Sequence, residues 1–192
     1  MKILAVPYFP QIDPTSCGPA AFEMAYKKLR PSKLSKFSQK KVYGRLKEID
    51  PGKPQYRVTT DDLVQLALHR SLSAGWGRVS PQPAELISQV QFFLEFQIPL
   101  IACQRYSDED HQTGHFRVII GIDEKEVVFH DPCPKIGGEA RRKSIEEFID
   151  LWRPTGQNVT GGVGFWIYGE VLTPPLAPDQ PNRWNSLVFR KR

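Results

Sequence analysis

Four residues stand out for their types and their order: a glutamine, a cysteine, a histidine and an aspartate. Residues 11–26 read QIDPTSCGPAAFEMAY, and residues 114–132 read GHFRVIIGIDEKEVVFHDP. Within them Gln11, Cys17, His115 and Asp131 can serve as oxyanion donor, thiol nucleophile, general base and orienting acid, the set needed for acyl transfer through sulfur. Each also has a plainer reading. Cysteine is among the most buried residue types, and a lone Cys at a helix start is ordinarily packing. Asp-Pro after a strand is an ordinary turn signal. What favours chemistry is that four roles are filled in one consistent order.

The elements around them suit those roles. Gly18 and Pro19 follow Cys17, and Pro belongs in the first turn of a helix, where its missing N–H is not needed. Phe22, Ala25, Tyr26 and Leu29 then recur at helical spacing, so a helix is predicted from Cys17 to about Leu29. Cys17 thus lies at a helix N-terminus, where unpaired N–H groups and the macrodipole favour thiolate and lower a pKa whose free value is about 8.5. Gln11, six residues earlier, can fold back over the helix start and donate beside the Cys17 N–H. Arg117 to Ile122 and Glu126 to His130 read as a hairpin closed by a three-residue loop at Asp123 to Lys125. That register sets His115 opposite Cys133 and makes Asp131 its diagonal neighbour on the same face, within reach of an imidazole. One residue of slip would move Asp131 to the other face. His130 is the competing histidine, but strand alternation turns it away from Asp131, which points to a structural role.

With those residues in view, the glutamine-to-cysteine spacing, the CGPAA helix start, the GH that opens a strand and the DP that closes the next resemble the bacteriocin-processing, double-glycine-type cysteine peptidases and their stand-alone relatives. The resemblance spans roughly residues 5–170. It implies a papain-like fold, Cys17 as nucleophile, His115 as general base and acid, Asp131 as its orienter and Gln11 in the oxyanion hole. It implies a peptide or protein substrate and no cofactor. Two other uses of the same residues remain open: an acyl transferase similar to phytochelatin-synthase relatives, and a non-catalytic peptide-binding module of the same fold.

Composition limits the alternatives. The chain has 192 residues, 40% of them hydrophobic, enough for one domain with a sizeable core. Three widely spaced cysteines with no CxxC offer neither a disulfide framework nor a zinc site. Cys103, in an apolar run, reads as a buried small hydrophobe, and Cys133, between prolines, is either a cleft residue or inert. His111 and His115 have metal-ligand spacing only on a helix, and Gln112, Thr113 and Gly114 read as loop. His69 reads as a solvent-facing residue of an amphipathic helix. No metal is expected. There is no signal-peptide pattern and no apolar stretch near the roughly 20 residues of a membrane span, so a cytoplasmic location is expected. The net charge is +5, and nine basic residues without an acid lie between Lys27 and Lys47. No nucleic-acid motif accompanies them, so a solvated face rather than a nucleic-acid site is expected there.

The remaining patterns complete an α+β chain: an N-terminal helical half packed on a mostly antiparallel C-terminal sheet. Helices are predicted at Ser38 to Ile49, at Asp61 to Leu72 with Thr60 as cap, and at Ala84 to Phe96. Strands are expected at Ala74 to Val79, Ile98 to Arg105 and Gly164 to Val171. Ser144 and Glu147 form a capping-box pattern before a helix. Arg141 to Lys143 read as exposed linker, and Ser107 to Gly114 as a loop bordering the cleft. Residues 1–171 read as the peptidase-like domain and 172–192 as a Pro-rich basic tail that wraps the surface, is loosely ordered, or contacts a partner chain.

Overall fold

The computed structural model describes residues 1–31, 38–49, 51–52, 58–110, 113–154, 159, 161–168 and 188–190. Among the described residues, five helices, α1 (Cys17–Leu29), α2 (Gln39–Ile49), α3 (Thr60–His69), α4 (Pro83–Glu95) and α5 (Ile145–Leu151), surround one antiparallel sheet. Its strands are β1 (Ser73–Arg78), β2 (Leu100–Arg105), β3 (Gly114–Ile122), β4 (Glu126–Asp131), β5 (Gly138–Ser144), β6 (Val163–Tyr168) and β7 (Val188–Arg190), in the order β5-β4-β3-β2-β6-β1-β7. This is the expected α+β architecture, with helices on both faces of the sheet. Neighbouring residues of β6 display the two faces: Phe165 meets Phe116 edge-on beneath α1, while Trp166 packs on Phe93 of α4 with centroids 4.5 Å apart.

Predicted and observed elements differ where local chemistry offers near-equal choices. Thr59, not Thr60, caps α3, because Asp62 stands three residues after Thr59. The Thr59 hydroxyl accepts from the Asp62 N–H while the Asp62 carboxylate accepts from the Thr59 N–H at 2.6 Å. Thr60 would face Leu63 at that position and could form no such reciprocal pair. The helix ends at His69 rather than Leu72, since Ser71 turns into the left-handed region (φ 56) and the Leu72 N–H bonds back to Ala67 O at 3.0 Å. Ser144 and Glu147 do form the expected box at the start of α5.

Arg141 to Lys143 are not linker. They lie in β5, where Arg141, Arg142 and Lys143 face Phe129, Val128 and Val127 of β4. An edge strand left to solvent has no apolar alternation to read, and its basic residues discourage pairing with another chain. Of residues 172–192, only Val188–Arg190 are described, as an outer strand on β1. The last three residues expected in β6, 169–171, also lie outside the described residues.

The turn between β3 and β4 is tighter than expected. Asp123 N–H bonds to Glu126 O, and Asp123 Oδ1 accepts from the N–H groups of Lys125 and Glu126, leaving a two-residue loop. A bulge between Ile119 and Gly121 takes up the difference, and below it Val118 pairs with His130 and Ile119 with Phe129. Continued toward the site, that register sets His115 opposite Cys133 and Arg117 opposite Asp131. The shorter loop and the bulged residue together reproduce the alignment that a three-residue loop would give.

Candidate active site

Cys17 opens α1 after a loop held by its own polar groups. Ser16 is fully buried, and its hydroxyl accepts from the N–H groups of Ile12 and Asp13 and donates to Asp13 O. Asp13 Oδ1 in turn accepts from the Thr15 N–H and hydroxyl. From α2, the Gln39 side chain accepts from Ile12 N–H at 3.0 Å and donates to Pro10 O at 2.8 Å, and the Tyr43 hydroxyl donates to Thr15 O at 2.7 Å. The N-terminal segment arrives along β3 and β4: Leu4 N–H to Ile120 O, Tyr8 hydroxyl to Asp131 O and Gln11 N–H to Pro132 O. Gln11 is thereby held between the end of β4 and the start of α1. Its Nε2 donates to Asp13 O at 2.9 Å, which leaves a second amide hydrogen to donate elsewhere.

His115 is 2% exposed and stands between sulfur and carboxylate. Its Nε2 lies 2.7 Å from Asp131 Oδ1, which leaves Nδ1 to meet Cys17 on the other side. Asp131 Oδ1 also accepts from the Cys133 N–H at 2.9 Å, and Oδ2 accepts from Arg117 Nε at 2.8 Å. The structure brings Cys17, His115 and Asp131 together.

The electrostatics follow from that contact. Burial resists thiolate at Cys17, but the hydrogen bond and charge of His115, with the N–H groups of Phe116 and Gly18, outweigh it and hold the thiol below its ordinary range. Burial likewise resists imidazolium at His115. Its hydrogen bond to Asp131 and the bond and charge of Cys17 outweigh burial and the opposing charge of Arg117, so its pKa is raised. Burial pushes Asp131 up, yet His115, Arg117 and the Cys133 N–H keep it ionised below the usual carboxylate range. A depressed thiol beside a raised imidazole is the electrostatic signature of an activated nucleophile.

The other candidates separate cleanly. His130 turns to the far side of β4, where its Nε2 donates to Val6 O at 2.9 Å and its Nδ1 accepts from Ala140 N–H at 3.0 Å. Both nitrogens are used by the neutral ring, and burial lowers its pKa, so it is structural. His69 is exposed, and His111 lies outside the described residues. Cys103 is half-buried rather than fully buried, and its thiol is pushed up to about 12, chiefly by burial. Cys133 is buried with its sulfur 3.3 Å from the Tyr106 hydroxyl. Lys27, at one end of the basic stretch, is not a solvated charge: it pairs with Glu23 at 2.7 Å and lies 4.0 Å from the Phe9 ring centroid.

Residues 3–160 match the profile of the Peptidase_C39 like family. The chain belongs to this family. No curated protein matches the chain. Among solved structures, the peptidase domain of Streptococcus ComA, a bifunctional ABC transporter, is 19% identical with a TM-score of 0.58 and is covered over 100% of its length by 88% of this chain. A C39-like peptidase structure from Bacillus anthracis gives 15% identity and a TM-score of 0.61, covering 87% of this chain and 97% of that one. A double-glycine-motif protease of an AMS/PCAT transporter, solved with its leader peptide, gives 19%, 0.55, 87% and 94%. At these identities the likeness shows the fold, and that fold is the C39 papain-like one. No helix among the described residues is long and apolar enough to cross a membrane.

Three groups around the C39-like site were not singled out by their sequence. Arg117 and Gln39 are buried and bonded to the groups above, and the Tyr106 ring stands edge-on to His115 with centroids 5.2 Å apart. Arg117 left a readable trace: it is a lone charge in the run FRVIIGI, two residues from His115 and therefore on its face. The partners of Gln39 are more than 25 residues away in sequence, and no local pattern announces them.

Proposed function

We propose that the protein is a cysteine peptidase in which Cys17 attacks a peptide carbonyl. The observation that carries this reading is His115, set beside Cys17 on one side and hydrogen-bonded to Asp131 on the other. The Cys17 proton passes to His115, sulfur bonds to the carbonyl carbon, and the oxyanion takes hydrogen bonds from the Cys17 N–H and from Gln11 Nε2. The imidazolium then gives its proton to the leaving amine as the C–N bond breaks. Water, deprotonated by the same ring, releases the acyl group from sulfur. Asp131 holds the ring in the tautomer and orientation that serve both transfers.

A peptide carrying a thiol-reactive electrophile, followed by mapping of the modified residue, tests the assignment. Labelling at Cys17, lost in Cys17→Ala together with hydrolysis, is the expected result. Labelling at Cys103 or Cys133 instead, or hydrolysis that survives Cys17→Ala, would sink it.

A further inference from the structure

Arg117 is 3% exposed, and each of its three guanidinium nitrogens has a partner. Nε donates to Asp131 Oδ2 at 2.8 Å, Nη1 to Gln104 Oε1 at 3.3 Å and to Arg105 O at 3.0 Å, and Nη2 to Tyr106 O at 2.7 Å. Burying a guanidinium is expensive, and an apolar residue would join β2 to β4 without desolvating a charge. An apolar residue could not, however, hold the second oxygen of the carboxylate whose first oxygen binds the base. Gln104 extends the frame, since its Nε2 donates to Phe148 O of α5 at 3.0 Å. The fork is thus fixed to the backbone at the end of β2 and, through Gln104, to a helix.

We infer that Arg117 is a positioning residue for the Cys17 site: it locks the Asp131 carboxylate so that Oδ1 meets His115, and it supplies the fixed positive charge that balances that carboxylate. The kinetic meaning of this role rests on the peptidase reading above; the geometry does not. With Cys17 as thiolate, His115 as imidazolium and Asp131 ionised, Arg117 brings the four-residue cluster to neutrality. The other titratable groups facing it are Tyr8 of the N-terminal segment, Tyr43 of α2, Cys103 of β2, and Tyr106 and Cys133 after β2 and β4. Burial pushes Tyr43 and Cys103 to about 12, and the hydrogen bond to Cys133 pushes Tyr106 there, so these three are uncharged at neutral pH. Removing Arg117 therefore leaves excess negative charge beside His115, and imidazolium must persist to higher pH.

The test follows the His115 ring by NMR of histidine-labelled protein and, in parallel, the rate at which iodoacetamide alkylates Cys17; neither readout needs a substrate. In Arg117→Gln the His115 titration should move to higher pH. In Arg117→Lys, which keeps the charge but loses the fork, the titration should not rise as it does in Arg117→Gln, and alkylation should slow because a displaced ring holds less of the sulfur as thiolate. A purely structural role would lower the folded fraction and leave the ring titration of the folded molecules in place. An unmoved titration in Arg117→Gln, or parent-like alkylation in Arg117→Lys, would overturn the inference, and the lysine variant decides alone if the glutamine variant does not fold. Failure of the peptidase reading shows separately, as absence of peptide hydrolysis by the parent protein.

Discussion

At the scale of single residues, His115 decides the pH dependence. Its pKa is raised while that of Cys17 is lowered, so each group favours the charged form of the other and the two titrate as a thiolate–imidazolium pair. Peptide hydrolysis should therefore follow a bell, its acid limb below the ordinary thiol range and its alkaline limb above the ordinary imidazole range. Asp131→Asn removes the carboxylate whose hydrogen bond raises His115, and the alkaline limb of kcat/KM should move to lower pH; a fixed limb would mean that Asp131 does not act through the ring. Gln11→Ala should cost about 10²–10³ in kcat with little change in KM, the usual loss for one oxyanion donor. Gln11, Cys17, His115 and Asp131 were legible as candidates because thiol, imidazole, carboxylate and amide chemistry belongs to particular residue types. Arg117 was harder to see, because its function depends on the pairing of β3 with β4 and on which oxygen of Asp131 it takes.

At the scale of elements, the loop from Pro10 to Cys17 depends on α2. Gln39→Ala would leave Pro10 O without its side-chain partner and Ile12 N–H with Ser16 Oγ alone, a loss of about 0.5–1.5 kcal/mol for each bond removed. Because that loop carries Gln11, kcat should fall further than KM changes, and denaturant melts should show the accompanying loss of stability. An equal loss of stability with unchanged kcat would separate α2 from the site. On the other side, the loop after β4 folds over Asp131. A Cβ on Gly137 would lie 2.1 Å from Asp131 Cβ and 2.3 Å from its Cγ, so Gly137→Ala must displace the carboxylate. Its activity should resemble that of Asp131→Asn, as a pH–rate profile would show. The helices were readable from caps and apolar spacing to within a residue or two, except at the end of α3, which stops three residues early where Ser71 turns. The bulge at Ile120 was not: its carbonyl accepts from Leu4 N–H, a partner more than a hundred residues earlier in the chain. Strand β5 was missed for a related reason, since its pairing comes from β4 and its own residues carry no apolar alternation.

For the molecule as a whole, the same perturbed groups tie stability to pH. Cys17 has a lowered pKa, so its contribution is complete above the unfolded value of about 8.5 and is lost as pH falls toward the folded one. His115 has a raised pKa, so its contribution is complete below about 6.5 and is lost as pH rises toward the folded one. Between the two unfolded values the gain from Cys17 and the loss from His115 oppose each other. Above about 8.5 only the loss continues, at about 1.4 kcal/mol per pH unit for each proton that the folded chain alone retains. Cys103 adds a second such proton, since its thiol stays protonated to about 12 in the fold. Urea melts of the parent should thus show stability falling as pH rises above about 8.5. In Cys17→Ser the His115 ring loses the thiolate that helps to raise it, and the slope should be shallower than in the parent. Identical slopes in the two proteins would mean that Cys17 and His115 do not share a proton in the folded chain, and the activated-thiol reading would fall with that result.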